Sequence, residues 1–216
     1  MDLLTYIQTH HELLWQRTGQ HITLVSVAVG MAVLIGVPIG IVITQHQRLA
    51  SVVLYAASVM ITIPSIALFG LMIPLLSPIG YGVGAVPAMV AVLLYSLLPI
   101  IRNTHSAINA IDPSLREAAR GMGMRPLQRL RMVEIPLAIP VIMAGIRIAV
   151  VMNIGVMTIA TYIGAGGLGD FISNGIAQTD RLQLVTGAIA VSVLAVVADY
   201  VLAAVQKYLT PKGTKA

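Results

Sequence analysis

Three groups of residues in this chain have the types and spacing that chemistry or force transmission would need. The first is Glu117-Ala118-Ala119, followed after three residues by Gly123 and after nine more by Val133, with Ile135 and Pro136 just beyond. On a helix, Leu115, Ala118, Ala119 and Met122 share one side. They make a small, shallow face, flanked by Arg116, Glu117 and Arg120, that a groove on another protein could accept. The second group is Arg147 and Asp199, charges set within apolar runs, where an ionisable group is costly unless it faces a cavity or a partner. These two could meet as an ion pair, Arg147 could snorkel to the interface, or it could touch a ligand directly. The third is Gly164-Ala165-Gly166-Gly167-Leu168-Gly169, which matches the G-x-G-x-x-G pattern of dinucleotide sites. That pattern needs a preceding strand and a following helix. Here an apolar run precedes it, so the glycines read as a sharp, closely packed turn or as a flexible loop.

The elements that must position these groups are set by composition. Of the 216 residues, 57% are hydrophobic and only 10% are charged, whereas ordinary soluble domains carry about 25% charged residues. A bilayer core of about 30 Å takes about 20 helical residues to cross. Five runs qualify: Ile22 to Ile43, Ala50 to Leu76, Val83 to Ile101, about Leu137 to Ile163 and about Leu184 to Val205. They lack period-two alternation and are too long for barrel strands. The expected fold is therefore all-α, a polytopic membrane protein with five transmembrane helices in a single domain over residues 1–216. Pro64, Pro74, Pro99 and Asn153 interrupt the apolar runs, either as packing kinks or as a gate near the midplane.

Basic residues assign the sides. Ten of the 13 Lys and Arg residues fall after the first span, between the third and fourth spans, or in the tail 206–216. Only Arg17 and Arg181 fall on the other side, so the N-terminus is expected outside and the C-terminus inside. The net charge of +5 thus reports orientation, and nucleic acid is not an expected partner. Residues 1–21 are expected to form an external amphipathic segment, with Leu4, Ile7, Leu14 and Trp15 near one face and Tyr6 and Trp15 at headgroup depth among the membrane lipids. Asp2 and Glu12, with the length of the following run, argue against a cleaved signal.

The cytoplasmic loop 102–134 reads as two short helices around a turn. Asp112 can cap the first, with Pro113 at its first position. Gly121 and Gly123 break it, and Pro126 can open a second helix through Glu134. A basic loop of this kind also serves simply to hold topology. The ordered spacing Glu117-Ala118-Ala119, Gly123, Val133-x-Ile135-Pro136, however, resembles the EAA loop of binding-protein-dependent ABC importer permeases, with Val133 and Ile135 as apolar departures from its I-x-L-P end. Further stretches, Thr62 to Leu76, Leu97 to Pro113, Val133 to Val151 and Tyr162 to Ile172, look like the osmoprotectant branch of that family. A segment similar to Gly164–Gly169 also occurs in methionine-importer permeases.

The resemblance implies a type I ABC importer permease fold of the methionine-importer kind in a bacterial inner membrane. It implies alternating access for quaternary ammonium osmoprotectants such as glycine betaine, choline or carnitine. Glu117, Ala118, Ala119 and Gly123 would then couple the spans to a cytoplasmic ABC ATPase dimer. An external binding protein and a second permease, identical or related, would complete the assembly. No G-x-x-x-x-G-K-[ST] occurs, so the chain is expected to be no enzyme and to bind no cofactor, with ATP and Mg on the partner ATPase. No metal site is expected either, because His10, His11, His21, His46 and His105 do not cluster. Aromatic residues are 5% of the chain and scattered, which points recognition by cation–π cages toward the binding protein. A permease for an amino acid, or a carrier driven by an ion gradient, would be the alternatives. The latter would ordinarily need several intramembrane carboxylates, and only Asp199 is available.

Overall fold

The computed structural model describes residues 2–210, and every regular element among them is helical. Lys212 and Lys215 of the expected tail lie outside the described residues. A short helix α1 (Leu3–Thr9) is capped by Asp2, whose side chain accepts from the Thr5 amide. The first span is α2 (His11–Val42). It is followed by α3 (Gln47–Thr62) and α4 (Ser65–Leu76), then by α5 (Ala85–Asn109). Beyond α5 come α6 (Pro113–Gly121) and α7 (Pro126–Arg129). The chain closes with α8 (Ile135–Met157), α9 (Gly169–Ala177) and α10 (Arg181–Leu209).

Four of the expected spans are continuous helices, while the second is an elbow in which the segments on either side of Pro64 meet at 103°. Proline biases the residue before it toward extended backbone, and Ile63 adopts φ −72°, ψ 126°. Its carbonyl, freed from the helix, accepts from the Tyr95 hydroxyl. Pro74 and Pro99 stay inside helices, so of these three prolines only Pro64 breaks the backbone path.

Helix α5 lies at the centre, against α2 and α8. Gly36 and Gly40 on α2 let it approach closely: a Cβ at Gly40 would sit 2.6 Å from Thr104 Cβ, and one at Gly36 would sit 3.0 Å from Ile100. Small residues spaced four apart allow such backbone approach between membrane helices. On the other flank, Gly145 of α8 meets the Pro99 carbonyl and Asn103 in the same manner. Half of the most apolar window of α5 is buried, against none of that of α10. Thus α10 is peripheral and packs mainly on α8, α9 and α1.

Two boundaries differ from the sequence expectation. Residues 11–21 are not a separate surface helix but the first turns of α2, because nothing before Ile22 breaks or caps a helix there. Only residues 3–9 form a distinct element, and Ile7, Leu14 and Trp15 border a hollow whose other wall is α10. The third span also continues past Ile101 to Asn109, so the connecting loop begins later than residue 102.

Candidate functional site: the coupling loop and the polar groups inside the spans

Helix α6 starts as its residues dictate. The Asp112 carboxylate accepts from the Ser114 amide at 2.8 Å, Pro113 occupies the first helical position, and that hydrogen bond holds the Asp112 pKa below the usual carboxylate value. At the far end Gly123 adopts φ +78°, and the Met124 amide returns to the Ala119 carbonyl at 3.1 Å. Left-handed backbone of this kind favours glycine at a helix end.

The expected apolar face of α6 divides. Ala119 is fully buried within this chain, whereas Leu115, Glu117, Ala118, Arg120 and Met122 are exposed. The exposed surface of α6 is therefore Leu115, Glu117, Ala118 and Met122, while Ala119 is turned inward and α6 packs on α7 and the turn that follows it. Arg116 turns inward too. It donates to the Ile108 carbonyl at the end of α5 and lies 3.5 Å from Glu134 Oε1. Arg129 donates to the same oxygen at 2.8 Å. Glu134, with its side chain 8% exposed, is thus a buried carboxylate shared by two guanidinium groups. It ties α5, α6 and α7 to the start of α8, and the sequence reading did not single it out. The signal available was a lone acid set among Arg125, Arg129 and Arg131.

The second short helix also differs from expectation. Helix α7 passes into a π-helical turn over Leu130–Glu134 and then directly into α8. Pro136 lacks an N–H, and its ring would crowd the carbonyl four residues back. Widening to π geometry relieves that clash without ending the helix. The loop therefore joins the fourth span as one rod.

Within the spans, Arg147 and Asp199 do meet. Arg147 Nε and Nη2 donate to the two Asp199 oxygens at 3.0 and 2.9 Å, and Nη1 donates to Gln206 Oε1 at 2.9 Å. Gln206 in turn donates to the Pro140 carbonyl at 2.8 Å. The Arg147 and Asp199 side chains remain 28% and 42% exposed. They border a groove of about 540 Å³ with Ala144, Ile148, Val151 and Met152. Gln206 was missed, although its spacing from Asp199 places it on the same helix face. Asn153, by contrast, is fully buried in the chain's own core, donating to Ser96 Oγ and to the Ala149 carbonyl at 2.9 Å each. It bridges α5 and α8 and does not border the groove.

The glycine segment is a packed clasp at the opposite end from α6. Gly164, Gly166 and Gly167 all have positive φ. The Gln20 side chain donates to the Ala165 carbonyl and accepts from the Gly167 amide, both at 3.1 Å. His21 Nδ1 accepts from the Leu168 amide at 3.3 Å, which leaves Nε2–H to donate to the Ile154 carbonyl at 3.0 Å. A Cβ at Gly167 would come within 2.9 Å of the imidazole, and one at Gly169 within 2.1 Å of the Thr158 carbonyl. Arg17 and Asp170 close the clasp at 3.0 Å. Of the two sequence readings, packing against a neighbouring helix prevails over loop flexibility. Gln20, His21 and Asp170 were not anticipated, because neither their order nor their spacing announces contact with residues far along the chain.

A bundle of helices long and apolar enough to cross a membrane, with an EAA-type loop fused to one of them, has the build of an integral-membrane subunit. Residues 36–215 match the family described as the binding-protein-dependent transport system inner membrane component, and the chain belongs to that family. It is 56% identical over 215 residues to the osmoprotectant import permease protein OsmW of Salmonella typhimurium, covering all of both chains. It is 41% identical to the glycine betaine/carnitine/choline transport system permease protein OpuCB of Bacillus subtilis, over 98% of this chain and 95% of that one. The fold is similar to that of a chain in the inward-facing methionine ABC transporter MetNI, with a TM-score of 0.81 at 24% identity over 93% of this chain and 98% of that one.

Proposed function

We propose that this chain is the membrane-spanning subunit of an ATP-driven importer for quaternary ammonium osmoprotectants of the glycine betaine, choline and carnitine type. The observation that carries the reading is full-length similarity to permeases named for those solutes, together with an exposed Glu117 and Ala118 on a loop made rigid with the fourth span. Leu115, Glu117, Ala118 and Met122 dock into a cytoplasmic ATPase dimer, with Gly123 permitting the turn behind them. ATP binding closes the ATPase pair, α6 follows, and the α7–α8 rod transmits the movement to the spans. A second permease completes the pathway, and an external binding protein delivers solute at the end formed by the glycine clasp. The N-terminus lies outside and the C-terminus inside, in the sense of the basic loops.

The test is uptake of radiolabelled glycine betaine and choline into proteoliposomes holding the permease and its ATPase, supplied with the binding protein. Uptake should require ATP and persist when ion gradients are collapsed. Glu117→Ala should depress both uptake and solute-stimulated ATP hydrolysis while the chain still inserts and assembles. Uptake that ignores ATP but vanishes with an ion gradient would overturn the reading.

A further inference from the structure

The Arg147–Asp199 pair is an ion pair with an open side. Its groove is walled by Ile148, Val151 and Met152. Ile148 and Met152 also line an adjoining hollow with Pro99, Arg102 and Asn103 of α5. The two hollows thus share Ile148 and Met152 as a wall, beside the close approach of α5 and α8 at Gly145. Asp199 keeps 42% of its side-chain exposure while bound to Arg147. An ionised carboxylate left this open inside an apolar run is unstable against lipid tails, so the groove faces something other than lipid: water, a polar solute or the second permease of the proposed assembly.

A trimethylammonium group has no N–H to donate. It is held by charge and by apolar contact with its methyl groups, and the groove supplies both in the free side of Asp199 and the side chains of Ile148, Val151 and Met152. Arg147 keeps the pair neutral as a whole, which makes the attraction local and weak. Conduction needs this, because a solute held in a passage must also leave it. Not every guanidinium N–H is taken by Asp199 and Gln206, so a zwitterionic solute finds a donor for its carboxylate beside the anion for its ammonium.

We propose that this groove is a transient contact site for the quaternary ammonium group of the transported solute, with Asp199 as the contacting anion and Arg147 as the group that orients and tempers it. The proposal rests on the reading that the solute belongs to that class.

The chain contains no cysteine, so Ile148→Cys places a single thiol in the groove. The permease–ATPase complex carrying it is treated with 2-(trimethylammonium)ethyl methanethiosulfonate and, separately, with the anionic 2-sulfonatoethyl methanethiosulfonate. The cationic reagent should react several-fold faster, and saturating glycine betaine should slow it. Adding Asp199→Asn should lower the cation-to-anion rate ratio about tenfold, the effect of removing one nearby charge from a poorly screened site. The double change Arg147→Met with Asp199→Leu replaces the pair by apolar groups. It should still assemble with the ATPase, yet lose the preference. Equal rates for the two reagents, no reaction with either, or a preference that survives the double change would each overturn the proposal. Uptake of glycine betaine without the preference condemns the site alone. A preference that depends on Asp199 in a complex that takes up neither glycine betaine nor choline condemns the transport reading and leaves the groove chemistry standing.

Discussion

Glu134 holds the loop between α5 and α8 through a single oxygen. Removing a buried carboxylate that neutralises two guanidinium groups leaves both uncompensated, at about 3 kcal/mol for breaking such an arrangement. Glu134→Ala should therefore lower the thermal midpoint of the purified complex and uncouple ATP hydrolysis from uptake. Glu134→Gln retains an acceptor for Arg129 and should lose less. A neighbouring pair of glycines gives a sharper contrast. Gly123 has φ +78° with open space around its Cα, whereas Gly121 is helical and equally open. Gly123→Ala should cost ~1–2 kcal/mol of backbone strain, and Gly121→Ala should be tolerated; equal thermal midpoints for the two variants would contradict this. Asp112 has a lowered pKa in the folded chain. The stability it adds to α6 is thus present above the ordinary carboxylate pKa and is lost as pH falls through the lowered value. Asp112→Asn keeps a capping acceptor and should abolish that acid dependence in a thermal-melt series across pH.

At the scale of elements, the elbow between α3 and α4 and the clasp at the end of α8 depend on single contacts. Tyr95→Phe leaves the Ile63 carbonyl without its donor and should destabilise the elbow by about 1 kcal/mol, measurable as a lowered thermal midpoint of the purified chain. Gly169→Ala drives a methyl group into the Thr158 carbonyl, with no flexible side chain to give way. Folded yield in detergent should collapse, whereas Gly155→Ala, with nothing within 4 Å, should fold normally. The π turn before α8 could not be foreseen from Pro136 alone. Proline at that position is equally compatible with a helix start, and only the continuous packing of Leu130 beneath α5 keeps the path helical through it.

For the molecule as a whole, the Arg147–Asp199 pair joins the peripheral α10 to the α5–α8 core. Reversing both charges together should restore assembly that either single reversal abolishes, as read by size-exclusion profiles of the permease–ATPase complex. Failure of the double reversal to recover assembly would show that the local geometry set by Gln206 and Pro140 outweighs the pairing. Much of this architecture was legible beforehand. Long apolar runs determined the helical spans, since a backbone in hydrocarbon must satisfy its own hydrogen bonds. The spacing from Glu117 to Pro136 pointed to the family, and the capped helix and turn that follow Asp112 were legible because they are built from residues close together in the chain. The sequence left open whether Arg147 met Asp199, snorkelled or touched a ligand. It left the glycines between a clasp and a loose loop, and it placed Ala119 on the same face as Leu115, Ala118 and Met122. Those outcomes turn on helix rotation and on the depth at which glycines let α2, α5 and α8 approach, distances between residues far apart in the chain that only the tertiary structure decides.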